Sequence, residues 1–158
     1  MIRAIVMFVL LLCSIASVHA ETALLPAAKG CTRARLLAIA DKYVAALKKG
    51  KPSLMPLASQ AKYIERRKEV PLGQGIWKAP LVVDFYRTLA DVDICETYTE
   101  IISAKNTPQY VIGTRLKIVG KKIAEIESLV SDKNDWLFNA DDYLKYSSTE
   151  NWDIIPPR

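Results

Sequence analysis

The run from Tyr110 to Ser131, YVIGTRLKIVGKKIAEIESLVS, leaves the chain the fewest choices. Two alternating, β-branched arms meet at Gly120-Lys121, the pattern of a β-hairpin closed by a two-residue turn. Glycine in first place suits a type II′ turn, and that turn sets Arg115 opposite Ile126 and Leu116 opposite Glu125. An isolated hairpin is not stable in water, so the rest of the chain must add strands and cover one face. Extended segments at about 82–93, 95–103 and 108–119, with a strand or hairpin arm in AKYIERRKEV, supply the strands. The cover comes from a helix running from Thr32 to about Lys49. Its Leu36, Ile39, Ala40, Tyr43, Val44 and Leu47 recur at three- and four-residue spacing in one stripe, and Gly50 and Pro52 stop it. SLMPLA reads as a short helical turn, WLFNADDYLKYSS as a closing helix or pair of turns, and NWDIIPPR as an extended tail. A helix followed by a meandering antiparallel sheet is α+β. A sheet that curls around such a helix encloses a cone with an apolar pocket.

Ahead of this domain stands MIRAIVMFVLLLCSIASVHA. One basic residue, an apolar run from Ala4 to Cys13 and small residues at Val18 and Ala20 make a secretory signal peptide cleaved after Ala20. The apolar run is too short for a comfortable membrane span, so the cleaved chain is expected to be secreted without stable membrane insertion. The expected organisation is a signal peptide at 1–20, a flexible leader at 21–30, one α+β domain at 31–147 and a tail at 148–158. Cleavage of 20 of the 158 residues leaves 138, removes Arg3 from a net charge of +5, and removes His19, the single histidine. Mechanisms that use imidazole as base, acid or ligand are then excluded. Two cysteines remain, Cys31 and Cys95. In an exported chain they are expected to form a disulfide rather than a redox or metal pair, because no C-x-x-C is present. No metal and no cofactor is implied. The lysines and arginines are scattered and lack interleaved aromatic residues, so no nucleic-acid partner is expected.

Two features could carry chemistry. In VPLGQGIW, residues 70–77, Pro71 fixes one backbone angle and Gly73 and Gly75 allow positive φ, so a sharp reversal delivers Trp77. The tryptophan either plugs the core or walls a ligand pocket, with its indole N–H as the polar handle. Glu65, Glu125 and Glu127 are carboxylates embedded in apolar strand sequence. Each is a candidate acid or base if it points into the cone; otherwise Glu125 and Glu127 form a solvated face paired to Arg115 or Lys117, and Glu65, flanked by Arg66 and Arg67, is surface.

The segments PLASQAKYIERRKEVPLGQGIWK, RLKIVGKKIAEIESLV, DWLFNADDYL and NWDIIPP resemble a family of secreted, mostly fungal proteins of unassigned function. Its members carry a cone-shaped domain similar to nuclear transport factor 2 and the SnoaL-type polyketide cyclases. The resemblance implies an NTF2-like/SnoaL-like cone with a long first helix against a curved antiparallel sheet. Relatives often continue into a second cone, and this chain is expected to be a one-domain version. They also carry an acid followed by Asn on the first strand, where this chain reads Glu65-Arg66. The cyclases and dehydratases of this fold use a histidine with an acid, which the cleaved chain lacks. Three functions follow. The first is binding of a small apolar or polyketide-like molecule in a pocket ringed by Trp77, Tyr63, Arg115 and Glu125. The second is a histidine-free carboxylate isomerase or cyclase with Glu65 or Glu127 as base. The third is an extracellular interaction module. A homodimer through the sheet is a further expectation.

Overall fold

The computed structural model describes residues 31–152. The expected signal peptide, the leader and the last six residues of the tail lie outside the described residues. Helix α1 spans Arg33–Lys49. Thr32 caps it by accepting the Arg35 N–H at 3.3 Å, and Lys48 and Lys49 stand in the last turn, where the dipole favours cations. Gly50 ends it at φ 60°, with the N–H groups of Gly50 and Lys51 returning to the carbonyls of Leu47 and Ala46. A short 3-10 turn at Pro52–Leu54 leads into β1, Leu57–Glu65. The strands β2 (Lys68–Glu69), β3 (Phe85–Asp91), β4 (Glu96–Ser103), β5 (Tyr110–Val119) and β6 (Lys122–Ser131) follow, then α2 (Ala140–Ser147).

The strands form one six-stranded sheet in the order β2-β1-β6-β5-β4-β3. It departs from the expected meander in one place: β1 returns beside β6 and pairs with it in parallel, while every other pairing is antiparallel. The β1–β2 hairpin turns at Arg66 and Arg67, both at positive φ.

The central hairpin differs from its expected register. Val119 pairs Lys122 and Ile118 pairs Ile123, but the ladder then shifts by one. Arg115 therefore faces Glu127, and Leu116 faces Ile126. The reason is the apolar spacing in β6. Ile123 and Ile126 are three residues apart, an odd interval that puts them on opposite faces of a regular strand. A bulge at Ala124 absorbs the extra residue and brings both inward. The turn differs too: Gly120 and Lys121 are at φ 58° and 79°, so both central residues are left-handed, the signature of type I′ rather than II′.

One face of the sheet packs on α1. Leu36, Tyr43 and Leu47 of the helix meet Ile101, Ile112, Leu116, Ile123 and Ile126 of the strands in one buried cluster. A smaller cluster on the opposite face packs α2 over Ile102 through Ala140. The Cys31–Cys95 disulfide joins the residues before α1 to the turn before β4, across 64 residues of chain.

Candidate functional site inside the cone

The 70–78 loop folds as its sequence requires. Gly73 and Gly75 are at φ 95° and 61°, and Gly75 opens a 3-10 turn through Lys78 that drives Trp77 into the core. Trp77 is 2% exposed. Its ring meets Tyr43 at 5.7 Å and Tyr63 at 6.4 Å between centroids, edge to face in both cases. The three rings pack together in the core beneath α1. The indole Nε1 is buried and has no hydrogen-bond acceptor in the protein.

Glu65 ends β1 and reaches the same loop. Its Oε2 accepts the Tyr63 hydroxyl and the Ile76 N–H, the latter at 2.9 Å. A Cβ on Gly75 would stand 2.0 Å from that oxygen, so glycine is needed for contact as well as for φ. Burial first, and then the bond to Glu65, hold the Tyr63 phenol above its ordinary pKa.

A row of hydroxyls crosses the inner face. Thr88, Thr99, Thr114, Ser128 and Glu65 follow one another in register from β3 to β1. Thr99, Thr114 and Ser128 are fully buried. Thr88 bonds Thr99 at 3.0 Å, Thr114 bonds Ser128 at 2.9 Å, and the Tyr43 hydroxyl joins Thr114 at 2.7 Å. Burial drives the Tyr43 phenol up to about 12, against the lowering effect of those hydroxyls. The row pairs most of its own polar atoms, as a buried network must to persist in an apolar core.

Of the residues singled out from sequence, Glu65, Tyr63 and Trp77 come together here. Arg115, Glu125 and Glu127 do not: they lie on the other face of the sheet. In β5, Ile112, Thr114, Leu116 and Ile118 turn inward and Arg115 turns away. Its guanidinium binds Glu96 at 2.9 Å, Glu127 at 2.9 Å, and Glu125. Burial opposes the cation, but the bonds to Glu127 and Glu125 and the charge of Glu96 more than offset it and raise its pKa. This is a part-buried ion-pair cluster on the face away from α1. Tyr43 and the hydroxyl row were not singled out in advance. Their trace in the sequence is faint: Thr97, Thr99, Thr114 and Ser128 occupy the strand phase otherwise held by isoleucine and leucine. Among the described residues no group of three or more Cys, His, Asp or Glu side chains is placed to hold a metal. No described helix is long and apolar enough to cross a membrane.

No protein-family model matches this sequence, and no curated protein does. Solved structures match by shape. AclR of Streptomyces galilaeus, a candidate hydroxylase, superposes with a TM-score of 0.50 at 16% identity, over 65% of this chain and 82% of its own. The fold is an NTF2-like/SnoaL-like cone. A candidate ketosteroid isomerase from Kribbella flavida follows at 0.49 and 13% identity, over 69% of this chain and 87% of its own. An NTF2-like protein of unknown function from Burkholderia xenovorans matches at 0.48 and 8% identity, over 77% and 98%. At these identities the likeness is one of fold. In this cone, α1 lies against the inner face, and the Glu65–Tyr63–Trp77 cluster sits where the inner face meets the 70–78 loop.

Proposed function

We propose that this NTF2-like protein is a secreted binder of one small apolar or polyketide-like molecule, taken up at the inner end of the cone beside Trp77. The observation that carries this reading is the buried Trp77 N–H without a protein acceptor, held between two tyrosine rings. Leaving a buried donor unpaired costs about 1–3 kcal/mol. A flat apolar ligand with one acceptor would satisfy it, and the 70–78 loop would move to admit the ligand between the rings. Export follows the expected cleavage after Ala20, as in the fungal secreted family that the sequence resembles, and N-terminal sequencing of exported protein should begin at Glu21. A homodimer through the sheet is compatible with the inner site.

A second reading, a carboxylate isomerase, is favoured by Glu65 alone. It is the strand carboxylate that faces inward, with a phenol on the same oxygen. A proton held between carboxylate and phenol is the minimum apparatus for acid–base work without histidine. Native mass spectrometry of the exported protein, searching for a co-purified molecule, followed by titration with the anthraquinone emodin, separates these readings. Trp77→Phe keeps an aromatic ring and removes the donor. It should weaken emodin binding by about tenfold with the fold intact. Unchanged binding in Trp77→Phe would remove the pocket. Turnover of a bound ligand that falls in Glu65→Gln would move the assignment to an enzyme. With no ligand and no turnover, the interaction module is left.

A further inference from the structure

The outer face carries a second site. Helix α2 leans on the sheet beside Arg87 of β3, and between them opens a cleft of about 410 Å³. Arg87, Asn139, Asp142, Tyr143, Tyr146 and Glu150 line it. On the other side of Arg87 a smaller cleft of about 80 Å³ lies against Leu89, Tyr98 and Trp152. Arg87 is the shared wall, so the two form neighbouring subsites. Tyr143 and Tyr146 stand three residues apart on α2, hence on one side of it, and Tyr146 is 62% exposed. At the rim, Leu137 is held at φ 55° with its side chain 80% exposed, next to Trp136 at 91% exposed. Leu137 is thus a left-handed residue in the turn before α2, with its side chain turned to water.

Most polar groups in this groove already have partners. Arg87 pairs with Glu150 and, at 2.5 Å but without hydrogen-bond alignment, with Glu100. Its guanidinium also lies 4.1 Å from the centre of the Trp152 ring. Glu150 further accepts the Trp152 indole N–H at 3.0 Å. Asp142 accepts from the Asn139 amide at 2.6 Å and returns its own N–H to Asn139 at 3.1 Å. An anion would find no unanswered arginine here, the Asp142 carboxylate is held by a neutral amide, and Lys145 Nζ stands 5.5 Å from the centre of the Tyr146 ring. The carboxylates nevertheless keep spare lone pairs, each oxygen accepting more than one hydrogen bond. Aromatic faces beside immobilised carboxylates and an amide suit a neutral ligand with apolar C–H faces and many hydroxyls.

We propose that this outer groove binds a neutral oligosaccharide, with one sugar ring over Tyr143 and Tyr146 and a second across Arg87 in the Leu89–Tyr98–Trp152 cleft. The site is separate from the inner cone, and its failure would leave the Trp77 reading untouched. Isothermal titration of the full chain with the hexaoses of cellulose, chitin and β-1,3-glucan tests it, with tetramethylammonium as a cationic control. One of the hexaoses should bind, and its disaccharide should bind more weakly, because two subsites are filled only by a longer chain. Tyr146→Ala, an exposed change, should weaken the hexaose by about tenfold, and Trp77→Phe should leave it unchanged. Three results would each overturn the proposal. They are no binding by any of the three hexaoses, saccharide binding that Tyr146→Ala does not touch, and binding of tetramethylammonium in their place. Concentration-dependent self-association abolished by Trp136→Ala, without saccharide binding, would assign the surface to a second copy of this chain.

Discussion

At the scale of single residues, Glu65 organises the site. It holds the Ile76 N–H and the Tyr63 hydroxyl on one oxygen, and so fixes the loop that carries Trp77. Two nearby glycines separate conformational need from contact need. Gly73 is at φ 95° with open space where a Cβ would stand, whereas at Gly75 that Cβ meets the Glu65 carboxylate. Gly73→Ala should therefore destabilise by about 1 kcal/mol, the penalty of a left-handed alanine alone. Gly75→Ala should destabilise by about 2–4 kcal/mol, because the carboxylate must also leave its two donors. Urea unfolding of the two variants measures the difference. Equal losses would mean that Glu65 swings aside freely and does not hold the loop.

At the scale of elements, the inner face of the sheet combines an apolar surface with a polar row. The row explains why Tyr43, on the apolar stripe of α1, is a tyrosine: its hydroxyl completes the Thr114–Ser128 chain. The linkage sign is definite. A phenol raised by folding contributes stability that is complete below its unfolded pKa of about 10 and is lost as pH rises through the folded value. For Tyr43 that folded value is about 12, and Tyr63 is raised in the same sense. Stability should therefore be insensitive to these groups up to about pH 10, then fall between pH 10 and 12 by about 3 kcal/mol for Tyr43. Tyr43→Phe should flatten part of that slope. A parent and a Tyr43→Phe variant with the same alkaline profile would show that the phenol ionises as readily folded as unfolded.

At the scale of the whole molecule, one helix covers the inner face and a short one shields part of the outer face. The Cys31–Cys95 link ties the start of α1 to the turn between β3 and β4. Closing 64 residues of chain is worth about 4 kcal/mol in the chain-entropy model. Reduction, or replacement of both cysteines by alanine, should lower unfolding stability by roughly 2–5 kcal/mol while the NTF2-like cone persists at low temperature. A loss well below that range would mean that the unfolded chain is already compact around this link.

Local rules gave the helix and its stop at Gly50, the position of the Gly120-Lys121 turn and the Gly-Gly reversal before Trp77, because each depends on neighbours within a few residues. The α+β class was legible for the same reason, since one apolar stripe must meet one apolar sheet face, and the cone came from the family resemblance. The register of β6 was not, because a two-residue turn sets pairing only until a bulge resets it. The bulge answers to Ile123 and Ile126, which both need the helix side. The partition of the site was not legible either. Glu65, Glu125 and Glu127 look alike in sequence, each a carboxylate in an apolar strand. Which of them faces Trp77 depends on strand phase, on the bulge, and on β1 returning in parallel beside β6. The sequence alone determined which side chains were available for a site, because composition and local spacing need no fold. Only the tertiary structure decided that Glu65 joins Tyr63 and Trp77 inside while Arg115 gathers three glutamates outside, because a one-residue shift of register moves a side chain to the opposite face.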